Sequence, residues 1–196
     1  MKKQTKGLGN RICIIAGICL LIIAMILLLL WQGGIRSSER KAEALVETIR
    51  TLIPQPQGAV PEVRRDNTMP HLSLEGEDFV GILEMPRYGS VLPVCGNWGS
   101  ISRYPCLFNG NVYEQTIQIG GTAQKGQFDF YREISVGDSV FFTDMEGNRF
   151  SYRVTDIRYE KHADPASLGR KDGALTLFIK NPYAFEYVLV FCQVAT

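Results

Sequence analysis

Excess charge of either sign is missing from this chain: 21 Lys and Arg stand against 20 Asp and Glu, leaving a net charge of +1. Binding polyphosphate needs a clustered basic face, so the balance gives no reason to expect nucleic acid as a partner. Histidine is almost absent, with two in 196 residues. His71 falls in a polar, proline-rich stretch and reads as a solvated side chain, while His162, in YEKHADP, reads as an exposed loop residue. Nothing has metal-ligand spacing. Glu75, Glu77 and Asp78 form a loose acidic cluster that reads as a solvated segment. No metal or cofactor is expected.

Charge is absent altogether from Ile12 to Trp31, ICIIAGICLLIIAMILLLLW. A helix of that length crosses the roughly 30 Å hydrocarbon core of a bilayer. Lys2, Lys3, Lys6 and Arg11 precede it, which puts residues 1–11 in the cytoplasm and the chain after Trp31 outside the cell. The run is longer than the roughly 7–15 residues of a signal-peptide core and no small-x-small site follows cleanly, so an uncleaved single-pass anchor is expected at the cell membrane. Of five cysteines, Cys95, Cys106 and Cys192 then lie outside. Three permit at most one disulfide within the domain, and buried or free thiols remain equally open.

Residues 32–53 read as a stalk helix, with Ala42, Leu45, Ile49 and Leu52 at helical spacing, Ser37 or Ser38 as N-cap and Pro54 past the end. Its apolar stripe is expected to pack on its own domain. Residues 54–71 carry four prolines and few large apolar side chains, and read as a linker. From 72 to 196 short runs of Val, Ile, Phe and Tyr alternate with Gly, Asn, Asp and Pro. Strands are expected at 79–86, 90–95, 115–121, 138–145, 149–161, 174–180 and 186–192, with a hairpin corner at EGN (146–148) and a short helix at 127–134. Seven or eight such strands with one or two short helices predict a mostly β barrel or sandwich.

The order GILEMP, LPV, Cys-x-x-x-Gly-x-Val-Tyr (106–113), SVGDSVFFTDMEGNRFSYRV (135–154) and LTLF resembles the sortases of Gram-positive bacteria, over about Glu77 to Cys192. The resemblance implies a closed barrel of about eight strands behind a membrane anchor, and a cysteine transpeptidase that acts on sorting signals of surface proteins. Similar sortases carry a His after an Ile-Ala-Gly stretch, a Cys closing Thr-Leu-Phe-Thr-Cys, and an Arg on the next strand. Laid on this chain without gaps, those positions hold Thr122, Lys180 and Tyr187.

In the family the thiolate attacks a Thr–Gly peptide bond, the His protonates the leaving amine and the Arg stabilises the oxyanion. An ammonium is not a nucleophile, a threonine hydroxyl does not donate a proton as imidazolium does, and a tyrosine brings no fixed charge. The substitutions imply loss of transpeptidation by that mechanism. The expectation is therefore a non-catalytic sortase-like domain that binds or assembles surface proteins, with a peptide, a surface-protein sorting segment or another sortase as partner. Lys180 and Tyr187, with Thr122, are then groove residues that bind an extended peptide, a carboxylate or a cell-wall anion.

The alternative is an active transpeptidase or peptidase with a rearranged site. One form is a Thr122/Lys180 dyad resembling Ser-Lys acyl-transfer pairs. The other is a displaced thiol at Cys192 or Cys106, for which a structural role, including a mutual contact, is the competing reading.

Overall fold

The computed structural model describes residues 17–27, 44–54, 68–161, 173–181 and 186–195. Two compact units divide the chain, Met1–Glu39 and Arg40–Thr196. In the first, residues 17–27 form a helix, α1, whose apolar side chains, such as Leu20 and Leu21, are exposed. The rest of 12–31 lies outside the described residues. Among the described residues, no helix is long and apolar enough to cross a membrane.

In the second unit, helix α2 (44–52) precedes nine strands: β1 (Leu72–Leu74), β2 (Glu77–Met85), β3 (Ser90–Cys95), β4 (Cys106–Asn109), β5 (Ile117–Thr122), β6 (Ser139–Asp144), β7 (Arg149–Glu160), β8 (Leu175–Asn181) and β9 (Glu186–Val194). They form one sheet in the order β1-β2-β3-β4-β5-β8-β9-β7-β6, and a further β2–β6 pairing closes it into an eight-stranded barrel with β1 appended. Closure removes the open edges along which sheets aggregate. The seam between β3 and β4 is slight: one register pair, Cys95 with Cys106, and a bond from Cys95 N–H to Pro105 O of 2.8 Å.

Alternation along the strands fills the barrel. On β8 Leu175, Leu177 and Ile179 point inward with Ile117 and Ile119 of β5 and Val188 and Val190 of β9. Outside the barrel, Leu45 and Ile49 of α2 pack with Phe79 and Ile82 of β2, and Arg50 and Arg149 both pair with Glu84 at 2.5 and 2.6 Å. The stalk helix thus packs on its own domain.

The corner at 146–148 is the expected hairpin turn between β6 and β7. Asp144, fully buried, accepts from the N–H groups of Glu146 and Asn148 (2.9 Å each), from Asn148 Nδ2 (2.8 Å) and from Tyr113 Oη (2.6 Å). The helix expected at 127–134 is instead a run of turns. Gly126 sits at φ +80°, and the local bonds are of the i to i−3 kind, from Gln127 to Gln124, Tyr131 to Phe128 and Glu133 to Phe130. Phe128 and Tyr131 are drawn into the barrel core, and tertiary burial overrides the local pattern. The short helices are two single turns of 3-10 type, at Pro86–Tyr88 and Trp98–Ser100.

Candidate functional site

β5 and β8 run parallel, and their last paired residues are Thr122 and Lys180; β8 and β9 run antiparallel, and Lys180 is there opposite Tyr187. The chain therefore brings Thr122, Lys180 and Tyr187 into one row across three neighbouring strands, spanning about 10 Å at the usual strand spacing. Register partners share a face, and this one is the outer face, since Leu177 and Ile179 turn the other way into the core. Lys180 is exposed, while Thr122 and Tyr187 are half-buried.

Beside the row lies an aromatic ledge. Tyr187 stacks on Phe178 with centroids 5.0 Å apart and planes 24° from parallel, and Trp98 packs against the same outward cluster of Phe178, Leu189 and Phe191. Trp98 reaches that position because Gly120, the register partner of Phe178, has no side chain. A Cβ there would fall 2.4 Å from the indole Cη2. Phe108 meets the indole edge-on at 4.8 Å.

The segment that carries Trp98 is pinned by Glu77. Its carboxylate accepts from Ser100 Oγ (2.7 Å), from Arg103 and from the Cys95 thiol (3.5 Å). The Ser100 hydrogen bond, with the pull of Arg103, holds the Glu77 carboxyl below its ordinary pKa despite some burial. Glu77 is therefore not part of a solvated acidic segment. Nor do the three carboxylates converge, since Asp78 turns to Ser73 and Glu75 is exposed. Gln127, almost fully buried, ties the same segment to the row: its Nε2 donates to Ile101 O (3.0 Å) and its Oε1 accepts from Thr122 N–H (2.8 Å).

The Thr122 hydroxyl itself is closed off from solvent and has no hydrogen-bond partner. An orphaned hydroxyl of this kind costs about 1–3 kcal/mol. It makes no bond to the Lys180 ammonium, so the two groups do not form the dyad geometry that acyl transfer needs. Among the described residues no carboxylate pairs with Lys180.

The thiols sit elsewhere. Cys192 is opposite Leu175, five residues back along β8 from Lys180 and about 17 Å away at the usual strand rise. It is fully buried in the barrel core, and burial pushes its thiol up to about 12. Cys106 is fully buried under the Trp98 segment, bonded to Tyr104 O at 3.3 Å, and burial pushes it up to about 12 as well. Its thiol partner is Cys95 rather than Cys192, and all three are free. Neither Cys192 nor Cys106 has the electropositive, accessible setting of a nucleophile. His71 is exposed ahead of β1, and His162 lies outside the described residues.

Sequence reasoning missed Trp98, Phe178, Gln127 and Glu77. The signal that could have found Trp98 is the Gly120-Gly121 doublet inside a strand, since paired glycines in a sheet mark close approach by another group.

No family model matches the chain, and no curated protein matches it. Solved structures do. The chain is similar to a sortase D5 transpeptidase of Clostridium perfringens, at 14% identity and a TM-score of 0.54, covering 82% of this chain and 99% of that one. It is similar to a sortase C of Clostridium perfringens solved with the C-terminal cell wall sorting motif, at 14% identity and 0.53, covering 84% and 89%. A sortase C1 from a pilus island of GBS gives 16% identity and 0.50, with 83% of each chain covered. At these identities the likeness is one of architecture: the chain has the sortase fold.

Proposed function

We propose that this chain is a membrane-anchored, sortase-fold domain that binds an extended peptide on its outer face and does not cleave it. The observation that carries the reading is the Thr122–Lys180–Tyr187 row. It assembles, in one line on the sheet, the three positions where the resemblance places the catalytic groups, and it holds no thiolate, imidazole or guanidinium. What remains has the features of a recognition surface: an aromatic ledge and, in the row itself, the exposed cation Lys180. Membrane anchoring is supported by the uncharged run 12–31 and the four cations before it. The partner class, a surface-protein sorting segment, is taken from the neighbour solved with such a motif. Attachment of this domain to the cell envelope makes it a module for presenting or assembling surface proteins.

The test uses the full-length chain in an uncharged detergent with a panel of fluorogenic sorting peptides. A Lys180→Cys, Thr122→His, Tyr187→Arg triple variant serves as the positive control. The expected result is no turnover by the native chain and measurable turnover by the variant. Turnover by the native chain at a rate above the uncatalysed background overturns the reading.

A further inference from the structure

We propose that the row reads the free C-terminal α-carboxylate of its peptide, with Lys180 as the counter-ion and the Trp98–Phe178–Tyr187 ledge holding the residues before it. The inference rests on the reading of the outer face as a non-cleaving peptide site. Charge complementarity is its first support: Lys180 is an exposed cation of the face with which no described carboxylate pairs, whereas Arg158, on the same face, is paired with Asp156 at 2.8 Å. Glu160, the register partner of Tyr187, shares the face but stands two strands from Lys180, about 10 Å away.

Thr122 is the second support. Its hydroxyl has no partner, although the residue is half-buried and its own backbone N–H and C=O are both bonded, to Gln127 and Phe128. A turn about χ1 to the next staggered position carries Oγ1 about 120° round the Cα–Cβ bond and so moves the hydroxyl. Brought out toward the groove, it gives a donor one strand from the ammonium. Two donors one strand apart suit the two oxygens of one carboxylate.

Position along the sheet is the third support, and it selects a chain end over an acidic side chain. Thr122 ends β5, Lys180 is the last outward residue of β8 and Tyr187 is the second residue of β9, so among the described residues the outward positions of the three strands end at the row. A peptide lying on Phe178 and Trp98 and running toward Lys180 reaches the last of those positions at the ammonium. There a terminal carboxylate continues the line of the backbone. No bond is made or broken: the site takes a peptide that already ends there, the kind of product a cleaving enzyme leaves.

The experiment immobilises the full-length chain in uncharged detergent and offers three libraries of hexapeptides randomised over uncharged residues. One library has a free C-terminus, one is amidated, and one is amidated with a fixed glutamate at position four; retained peptide is measured by mass spectrometry. At least tenfold greater retention of the free acids than of either amide is expected. That preference should be lost in Lys180→Gln, kept in Lys180→Arg and reduced severalfold in Thr122→Val. Lys180 is exposed, so its variants should fold as the parent does. Equal retention of acid and amide libraries, abolished by Trp98→Ala but not by Lys180→Gln, overturns the carboxylate inference while leaving peptide binding intact. Greater retention of the internal-glutamate library overturns it in favour of an acidic side chain, and retention of no library overturns it together with the peptide-binding reading.

Discussion

The indole of Trp98 occupies the space above Gly120 where any other residue would place a side chain, at 2.4 Å from where its Cβ would lie. The contact joins the single 3-10 turn after β3 to the strand that ends in Thr122. The first prediction follows from it. Gly120→Ala must push the indole away from β5, since the neighbouring backbone of β5 is fixed by pairs to both β4 and β8. Overpacking of this kind costs about 1–3 kcal/mol. In a Trp31→Phe background, where Trp98 is the one remaining tryptophan, the substitution should shift indole emission to the red and lower the urea midpoint. An unchanged spectrum would show that the ledge does not depend on this approach.

The chain announces its barrel through short runs of Val, Ile, Phe and Tyr bounded by turn residues, and seven strands follow those runs closely. The two that escape are the shortest, β1 with three residues and β4 with four. Neither is long enough to stand out as an apolar run, and β4 is joined to β3 by one residue pair alone. The row itself is a different matter. Thr122 and Lys180 are 58 positions apart, and the parallel pairing of β5 with β8 is a tertiary event that periodicity does not encode. The resemblance supplied that pairing, through Ile119-Gly120-Gly121 and Thr176-Leu177-Phe178. Trp98 and Gln127 stayed hidden because each acts from a turn, and a turn's sequence says little about which strand it covers.

Acid should destabilise the domain through two carboxylates, Asp138 and Glu77. Burial pushes the Asp138 carboxyl up, but hydrogen bonds from Tyr88 and the Ser135 N–H, with Arg87 at 2.6 Å, outweigh it and hold the carboxyl below its ordinary value. Glu77 is lowered too. A depressed native pKa means that the anion is favoured by folding. The stabilisation is then fully present above the ordinary carboxyl range of about 4 and fades as pH falls through the lowered native values. Stability measured by urea unfolding should be flat from pH 7 to about 5 and decline below about 4. Asp138→Asn should cost about 1–3 kcal/mol at pH 7 and flatten part of that decline; an undiminished acid slope in the variant would assign it to other groups.

Thiol chemistry offers a direct check on the displaced-nucleophile alternative. With Cys106 and Cys192 pushed up to about 12 by burial and Cys95 raised as well, only about one thiol in 10,000 is ionised at pH 8 for the first two. None is exposed. Iodoacetamide at pH 8 should leave Cys95, Cys106 and Cys192 unmodified in the native chain over the time that alkylates a free cysteine fully. All three should be alkylated in urea. Peptide mapping by mass spectrometry reads each site separately, and rapid native labelling at Cys106 would reopen a thiol mechanism under the ledge.

Helix α2 packs against the outside of the barrel wall. Ile49 is fully buried between the helix and β2, where it meets Phe79 and Ile82, and Ile53 and Pro54 at the helix end approach the Gly147 turn. Truncating such a side chain typically costs about 2–4 kcal/mol. Ile49→Ala should therefore lower the unfolding midpoint of the whole domain as one transition, because the residue belongs to the same packed cluster as Cys95 and Cys106 at the β3–β4 seam. Arg50→Ala, which removes an exposed partner of Glu84 that Arg149 can still hold, should cost no more than about 1 kcal/mol. Hydrogen exchange followed along the chain separates the outcomes. Loss of protection in Ile49→Ala that reaches β2 and β3 shows a helix integral to the barrel, whereas loss confined to 44–54 shows a helix that merely rests on it.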